Sequence, residues 1–186
     1  PWKTAENYKA AVAKWRRQRL DQWTHAVADN LADGERGGFL VWGDPGLFES
    51  TLAIVKKLIA AVDADGGVPI ELDVIPGISS SLSLASRHQI PLNRQGRALQ
   101  ISPARLLANG MPEGVDDVIV MLDGRQTFSL IDPTDIDIYW AAYIGTPDEI
   151  LISGDLAEVR EEIRSARADA EKRLGWVFDT YLLRRR

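Results

Sequence analysis

With 186 residues, 45% hydrophobic and 26% charged, the chain has ordinary globular usage and enough length for one large domain or two small ones. The absence of cysteine excludes disulfides, thiolate catalysis and cysteine-based metal sites, and two histidines far apart in sequence argue against a metal centre. A net charge of −5 argues against a nucleic-acid partner, and no apolar run approaches the roughly 20 residues of a membrane span. No signal-peptide pattern is present, so the default expectation is a cytoplasmic protein.

In chain order, Thr4 or Asn7 is placed to cap a long helix with an apolar stripe of Tyr8, Val12, Trp15, Trp23, Val27 and Leu31. Arg16, Arg17 and Arg19 lie beside it, as a solvated face or as an anion-binding patch. Asp33–Gly38 ends the helix. The unbroken apolar run Phe39-Leu40-Val41-Trp42 predicts a strand buried on both faces. Gly43-Asp44-Pro45-Gly46 breaks it, and a helix follows over roughly residues 49–63. A second strand is expected over Ile70–Ile75, ended by Pro76-Gly77, with a new helix opening at Ile78-Ser79-Ser80-Ser81. Strand, glycine loop and helix thus occur twice, about 33 residues apart, the spacing of a βαβ unit. The two loops, Gly43–Gly46 and Pro76–Ser80, should then emerge on one sheet edge.

Ile90–Gly96 reads as a linker. Beyond it, Ala98–Ile101 predicts a short strand, and Ser102-Pro103 predicts a helix start, with serine as cap and proline at the first position. Val115–Leu122, Ile136–Ile144, Glu149–Ile152 and Trp176–Leu183 read as strands of a mixed, partly antiparallel sheet. Asp123-Gly124-Arg125 reads as a turn, and Gly154-Asp155-Leu156 begins a charged helix through about Lys172. The expected architecture is two α/β lobes, residues 1–93 and 94–186, with a mainly parallel sheet in the first, a mixed sheet in the second and a cleft between them.

Asp44 at a strand end can accept hydrogen bonds from a ligand or cap the following helix. The loop is neither a P-loop nor a dinucleotide fingerprint. Ser79 and Ser80 present hydroxyls and amides at a helix N-terminus, suited to an anion or to simple capping. His88, beside Arg87, sits at a helix end where the dipole favours positive charge. Met121 reads as core. A Gly-x-Ser-x-Gly nucleophile elbow is absent.

The segment VWGDPGLFESTL, followed by DVIPGISSSLSLASRHQIPLNR, VDDVIVMLDG and YWAAYIGTPDEILISGDLAEV, resembles the tetrapyrrole methylase family. The resemblance covers nearly all of residues 38–183 and implies a two-lobed α/β methyltransferase, usually a homodimer. Such enzymes use S-adenosylmethionine to methylate corrin or siroheme precursors. By the same resemblance Trp42, Gly43, Asp44, Leu47, Ser79, Ser80, Met121 and Gly145 lie near the cofactor. A precorrin carries many carboxylates, so Arg87, Arg94, Arg97 and Arg125 are the candidates to meet it. Asp44, His88 and Asp123 are the candidates for a general base. No metal, nucleic acid or membrane is implied. The family's opening strand and its glycine-rich loop have no match in this sequence, so both are expected to be missing from the first lobe and cofactor binding by this stretch alone is expected to be weak. The alternatives are a methylase of ribosomal RNA or diphthine within the same superfamily, and a non-catalytic α/β ligand-binding module.

Overall fold

The computed structural model describes residues 5–186. It divides into two compact units, residues 1–77 and 78–186.

In the first unit, α1 spans Ala5–Asn30 and α2 spans Thr51–Ala64. The expected cap Thr4 lies outside the described residues, and Asn7 is already helical, so it is not the cap. Trp15 and Trp23 of the apolar stripe take the guanidinium of Arg19 over their rings, at 4.8 and 5.7 Å from the centroids. That arginine belongs to a cation–π stack. Trp23 also meets Phe39, with ring centroids 4.6 Å apart. α2 buries Ile54, Val55 and Leu58 at helical spacing. Its N-cap residue Ser50 makes no side-chain capping bond; the Glu49 carboxylate accepts from Thr51 N–H.

The two strands expected here are not formed. Residues 39–42 and 70–75 carry no ladder, Leu40 and Trp42 are almost fully exposed, and no strand occurs among the described residues of this unit. The first-lobe parallel sheet is therefore a correction. An apolar run marks a segment that suits a sheet, but a strand exists only through hydrogen bonds to a neighbour.

The second unit is built on one five-stranded mixed sheet of order β1-β2-β5-β3-β4. Its strands are β1 (Leu99–Pro103), β2 (Asp117–Met121), β3 (Ile136–Ala142), β4 (Ile150–Asp155) and β5 (Asp179–Arg185). Only β1 and β2 pair in parallel; the remaining pairs are antiparallel. Period-2 alternation sorts the side chains onto two faces. Ile119, Ala141 and Leu182 face α3 (Ser80–His88), which inserts the fully buried Leu84. Val118, Val120, Ile138, Trp140, Tyr181 and Leu183 pack in the larger core with Leu156, Ile163 and Ala170 of α4 (Leu156–Leu174). β2 is covered on both faces, which explains its unbroken apolar run.

The second compact unit begins at Ile78, just before α3, whose Leu84 belongs to the sheet's core. The linker itself is clamped to the sheet. Arg184 donates to the buried Asp117 carboxylate at 2.7 Å and to the Pro91 and Leu92 carbonyls at 2.9 and 3.1 Å. A second correction concerns Ser102-Pro103, which end β1 and pair with Val120 and Met121. β1 is an edge strand, where a proline is tolerated; the helical turn, a short 3-10 piece, begins at Ala104. The last strand begins at Asp179 rather than Trp176.

Candidate functional site

In the first unit the Gly43–Gly46 loop is folded around one carboxylate. Asp44 Oδ1 accepts from Gly46 N–H at 2.7 Å, and Oδ2 accepts from Gly77 N–H at 3.0 Å, 33 residues away in sequence. A Cβ on Gly77 would lie 1.9 Å from the Gly43 carbonyl oxygen. The absence of a side chain is what allows the two backbones to touch. The first loop thus meets Gly77 directly, while the shared sheet edge expected from their spacing is not formed. Of the two roles open to Asp44, capping α2 is not the one adopted. Gly43 has a φ of +77° and Phe48 one of +53°, while Trp42 and Gly43 are exposed and Leu47 is half-buried.

In the second unit, Ser79 caps α3: its hydroxyl accepts from Leu82 N–H at 3.4 Å and shares a 2.7 Å bond with Ser81. Ser80 is half-buried in the first turn. Met121 ends β2, and Gly145 lies three residues past the end of β3. β5 runs between these strands, with Thr180 opposite Met121 and Asp179 opposite Ala142. Both therefore stand at the carboxyl edge, where ligands gather in α/β sheets. The chain kinks sharply there: Leu122 and Tyr143, each just past its strand, have φ of +59° and +50°. Such conformations cost free energy in non-glycine residues and persist only where surrounding contacts impose them.

At the Asp123 turn those contacts are visible. Oδ1 accepts from Arg125 N–H and from the Thr127 hydroxyl, both at 3.0 Å. Oδ2 accepts from Thr127 N–H at 2.6 Å and from the Tyr181 hydroxyl at 2.7 Å. Burial, then the neighbouring Asp123 charge and hydrogen bond, push the Tyr181 phenol well above its ordinary range. Beside it Asp179 Oδ2 accepts from Trp140 Nε1 at 3.1 Å and Arg167 Nε at 3.2 Å. Arg167, only 6% exposed, also donates from Nη2 to the Asp123 carbonyl at 3.3 Å. Burial raises the Asp179 carboxyl to about 6, against the opposing pull of Arg167 and the indole N–H.

The remaining candidates are mostly tied to the fold. His88 Nε2 lies 3.1 Å from the Trp140 carbonyl, which only accepts, so the ring proton sits on Nε2. Burial lowers its basicity. Arg87 pairs with Glu149, whose other oxygen accepts from Gly145 N–H at 2.8 Å. These bonds, with the Arg87 hydrogen bond first, hold the Glu149 carboxyl below its usual range. Arg94 shares Asp117 with Arg184, and Arg97 pairs with Asp116. Among the described residues Arg125 is the one guanidinium of the four candidates with no carboxylate partner, and it is exposed. Arg167, Asp179 and Tyr181 were not singled out from sequence. A buried arginine and aspartate inside otherwise regular elements become noticeable only once the long-range pairing is known.

A five-stranded mixed sheet packed by helices on both faces makes the second unit an α/β fold. The chain belongs to the tetrapyrrole (corrin/porphyrin) methylases, whose family model matches residues 4–160. A precorrin-6A synthase [deacetylating] of Sinorhizobium sp is 42% identical over 179 residues, covering 96% of this chain and 67% of the relative. The crystal structure of a cobalamin synthesis related protein (CobF) from Corynebacterium diphtheriae superposes with a TM-score of 0.84 at 29% identity, covering 95% of this chain and 73% of that one. The cobalt precorrin-4 methyltransferase CbiF shares the fold, with a TM-score of 0.62 at 11% identity over 88% of this chain and 70% of its own.

Proposed function

We propose that this chain is a methyltransferase of cobalamin biosynthesis that uses S-adenosylmethionine to methylate C-1 of precorrin-5, with loss of acetate, giving precorrin-6A. The observation that carries the reading is the identity, across nearly the whole chain, to the Sinorhizobium precorrin-6A synthase. No helix among the described residues is long and apolar enough to cross a membrane. A cytoplasmic homodimer is the form we assign to it, with two lobes dividing near residues 93 and 94.

The groups we assign to the cofactor in each unit are of a chemistry that suits it. In residues 1–77 they are Trp42, Gly43, Asp44 and Leu47, where loop backbone is exposed around one carboxylate. In residues 78–186 they are Ser79 and Ser80 at the head of α3, with Met121 and Gly145 at the sheet edge. When bound, S-adenosylmethionine supplies an activated methyl group on a good leaving group. The chain's task is to align and orient. The Asp44 carboxylate is held by two amides, which suits a positioning group. His88 keeps an Nδ1 lone pair, and the four donors on Asp123 fix that carboxylate as an anchor rather than a free base. Of the proposed substrate arginines Arg87, Arg94, Arg97 and Arg125, the exposed Arg125, with no carboxylate partner among the described residues, is the one we favour for a substrate carboxylate.

The test is to incubate the purified protein with S-adenosylmethionine and an enzyme mixture that generates precorrin-5. Acetate and a singly methylated, deacetylated product are expected by mass spectrometry; a methylated product that retains its acetyl group, or consumption of cofactor on a different tetrapyrrole, overturns the reading. Asp44→Ala is expected to raise KM for S-adenosylmethionine more than it lowers kcat. The reverse pattern would make Asp44 a catalytic group.

A further inference from the structure

The buried ion network behind the carboxyl edge lies outside the cofactor and substrate roles described above. Arg167 stands on α4, 44 residues from the turn it holds, and its side chain is 7% exposed. One face of the guanidinium is fixed by Asp179; Nη2 reaches the Asp123 carbonyl at 3.3 Å. That carbonyl belongs to the turn bracketed by two left-handed residues, Leu122 at φ +59° and Gln126 at +57°. Two non-glycine residues in that region are a strained arrangement, and the Asp123 carboxylate with Arg167 supplies the bonds that impose it. Immediately before the turn stands Met121, paired to Thr180, whose hydroxyl donates to the Val120 carbonyl at 3.0 Å.

We propose that Arg167, oriented by Asp179, is a positioning residue that locks the Leu122–Gln126 turn and thereby presents the Met121 end of β2 to the cofactor. The proposal rests on the reading of Met121 as a cofactor contact. The charged state of Asp179 is what aims Arg167, because a neutral carboxyl offers the guanidinium a much weaker acceptor. The groups facing Asp179 are Arg167 of α4, the Trp140 indole of β3, the Asp123 carboxylate and the phenols of Tyr143 and Tyr181; Glu171 lies 3.9 Å from Arg167 on its outer side. Both phenols are raised and stay neutral through the acid range, whereas burial brings the Asp179 carboxyl to about 6. Acidification then releases Arg167 from Asp179 and frees the turn, while the rest of the core keeps its packing.

Two readings of one sample set test this: amide-exchange protection at Arg125 and Thr127, and S-adenosylhomocysteine affinity by calorimetry, each from pH 8 to pH 5. In the unaltered protein both fall about tenfold through a step near pH 6. Asp179→Asn and Arg167→Lys show the low-pH level throughout and lose the step, while their thermal unfolding stays cooperative. Should either variant fail to fold, the pH step in the unaltered protein decides the matter. Protection and affinity that stay level with pH, or an Asp179→Asn protein that keeps the step, overturn the proposal. If the exchange step appears but S-adenosylhomocysteine does not bind at any pH, the lock stands and the cofactor reading of Met121 falls.

Discussion

Gly77→Ala isolates the contact that joins the two loops of the first unit. A Cβ at position 77 would sit 1.9 Å from the Gly43 oxygen, 2.9 Å from its carbon and 3.3 Å from the Asp44 Cα. All three are backbone atoms, so no rotamer change relieves the overlap, and the loops must part by at least about 1 Å to reach the 3.0 Å floor of real contacts. That displacement takes Gly77 N–H beyond hydrogen-bonding range of Asp44 Oδ2, now 3.0 Å away. Loss of this exposed, charge-assisted bond costs about 1 kcal/mol. The φ of Gly77 is not left-handed, so alanine's own backbone is at ease there and restricts the unfolded chain, a gain of about 0.5 kcal/mol that partly offsets the loss. The net effect on global stability is small, and the local effect large. Amide exchange is the assay: protection at position 77 should fall about fivefold, with weaker S-adenosylhomocysteine binding by calorimetry. Gly38→Ala is the control, since its added Cβ meets nothing within 4 Å. Unchanged protection at position 77 together with unchanged affinity would refute the account.

Three further outcomes are expected. Asp123→Ala removes the acceptor of four hydrogen bonds, three from buried donors, and should cost about 3–4 kcal/mol in urea unfolding; Tyr181→Phe, which deletes one of them, should cost about 1–2 kcal/mol. Arg184→Met leaves the fully buried Asp117 with Arg94 alone and unties the Pro91 and Leu92 carbonyls, a loss of about 3–5 kcal/mol by the same measurement. Because folding raises the Asp179 carboxyl to about 6, the native state holds a proton that the unfolded chain has released between about pH 4 and 6. Asp179 should therefore add stability progressively as pH falls from about 6 to about 4, by about 3 kcal/mol in all, read as melting temperature against pH, and Asp179→Asn should abolish that contribution.

The second unit was largely legible in the sequence, and the first only in part. β2 shows as VDDVIVML because both of its faces are covered, and α4 shows as a long charged run after Gly154-Asp155; its cap, the Asp155 carboxylate accepting from Ala157 N–H at 2.8 Å, is seen only in the structure. The run Phe39–Trp42 has the same apolar character and yet forms no ladder, since periodicity reports what a segment would bury and not whether a neighbour is there to pair. The hydrogen bond from Gly77 N–H to Asp44 was not legible: the spacing of the two loops pointed to a shared edge of a parallel sheet, and that sheet is not formed. Nor was the Arg167–Asp179–Asp123 network: its members are scattered over residues 123–179 and become neighbours only when β5 enters between β2 and β3.

The strand order also bears on how this unit comes into being. β5 is last of the five in sequence yet central in the sheet, paired to β2 on one side and β3 on the other. Until residues 179–185 leave the ribosome, β1–β2 and β3–β4 are separate ribbons, each with an open, apolar inner edge. Joining them requires pairing Asp117 with Arg184, a long-range closure of the kind that slows folding. The nascent chain is then most exposed to strand-to-strand aggregation just before its synthesis reaches β5, the interval in which chaperone capture would matter most.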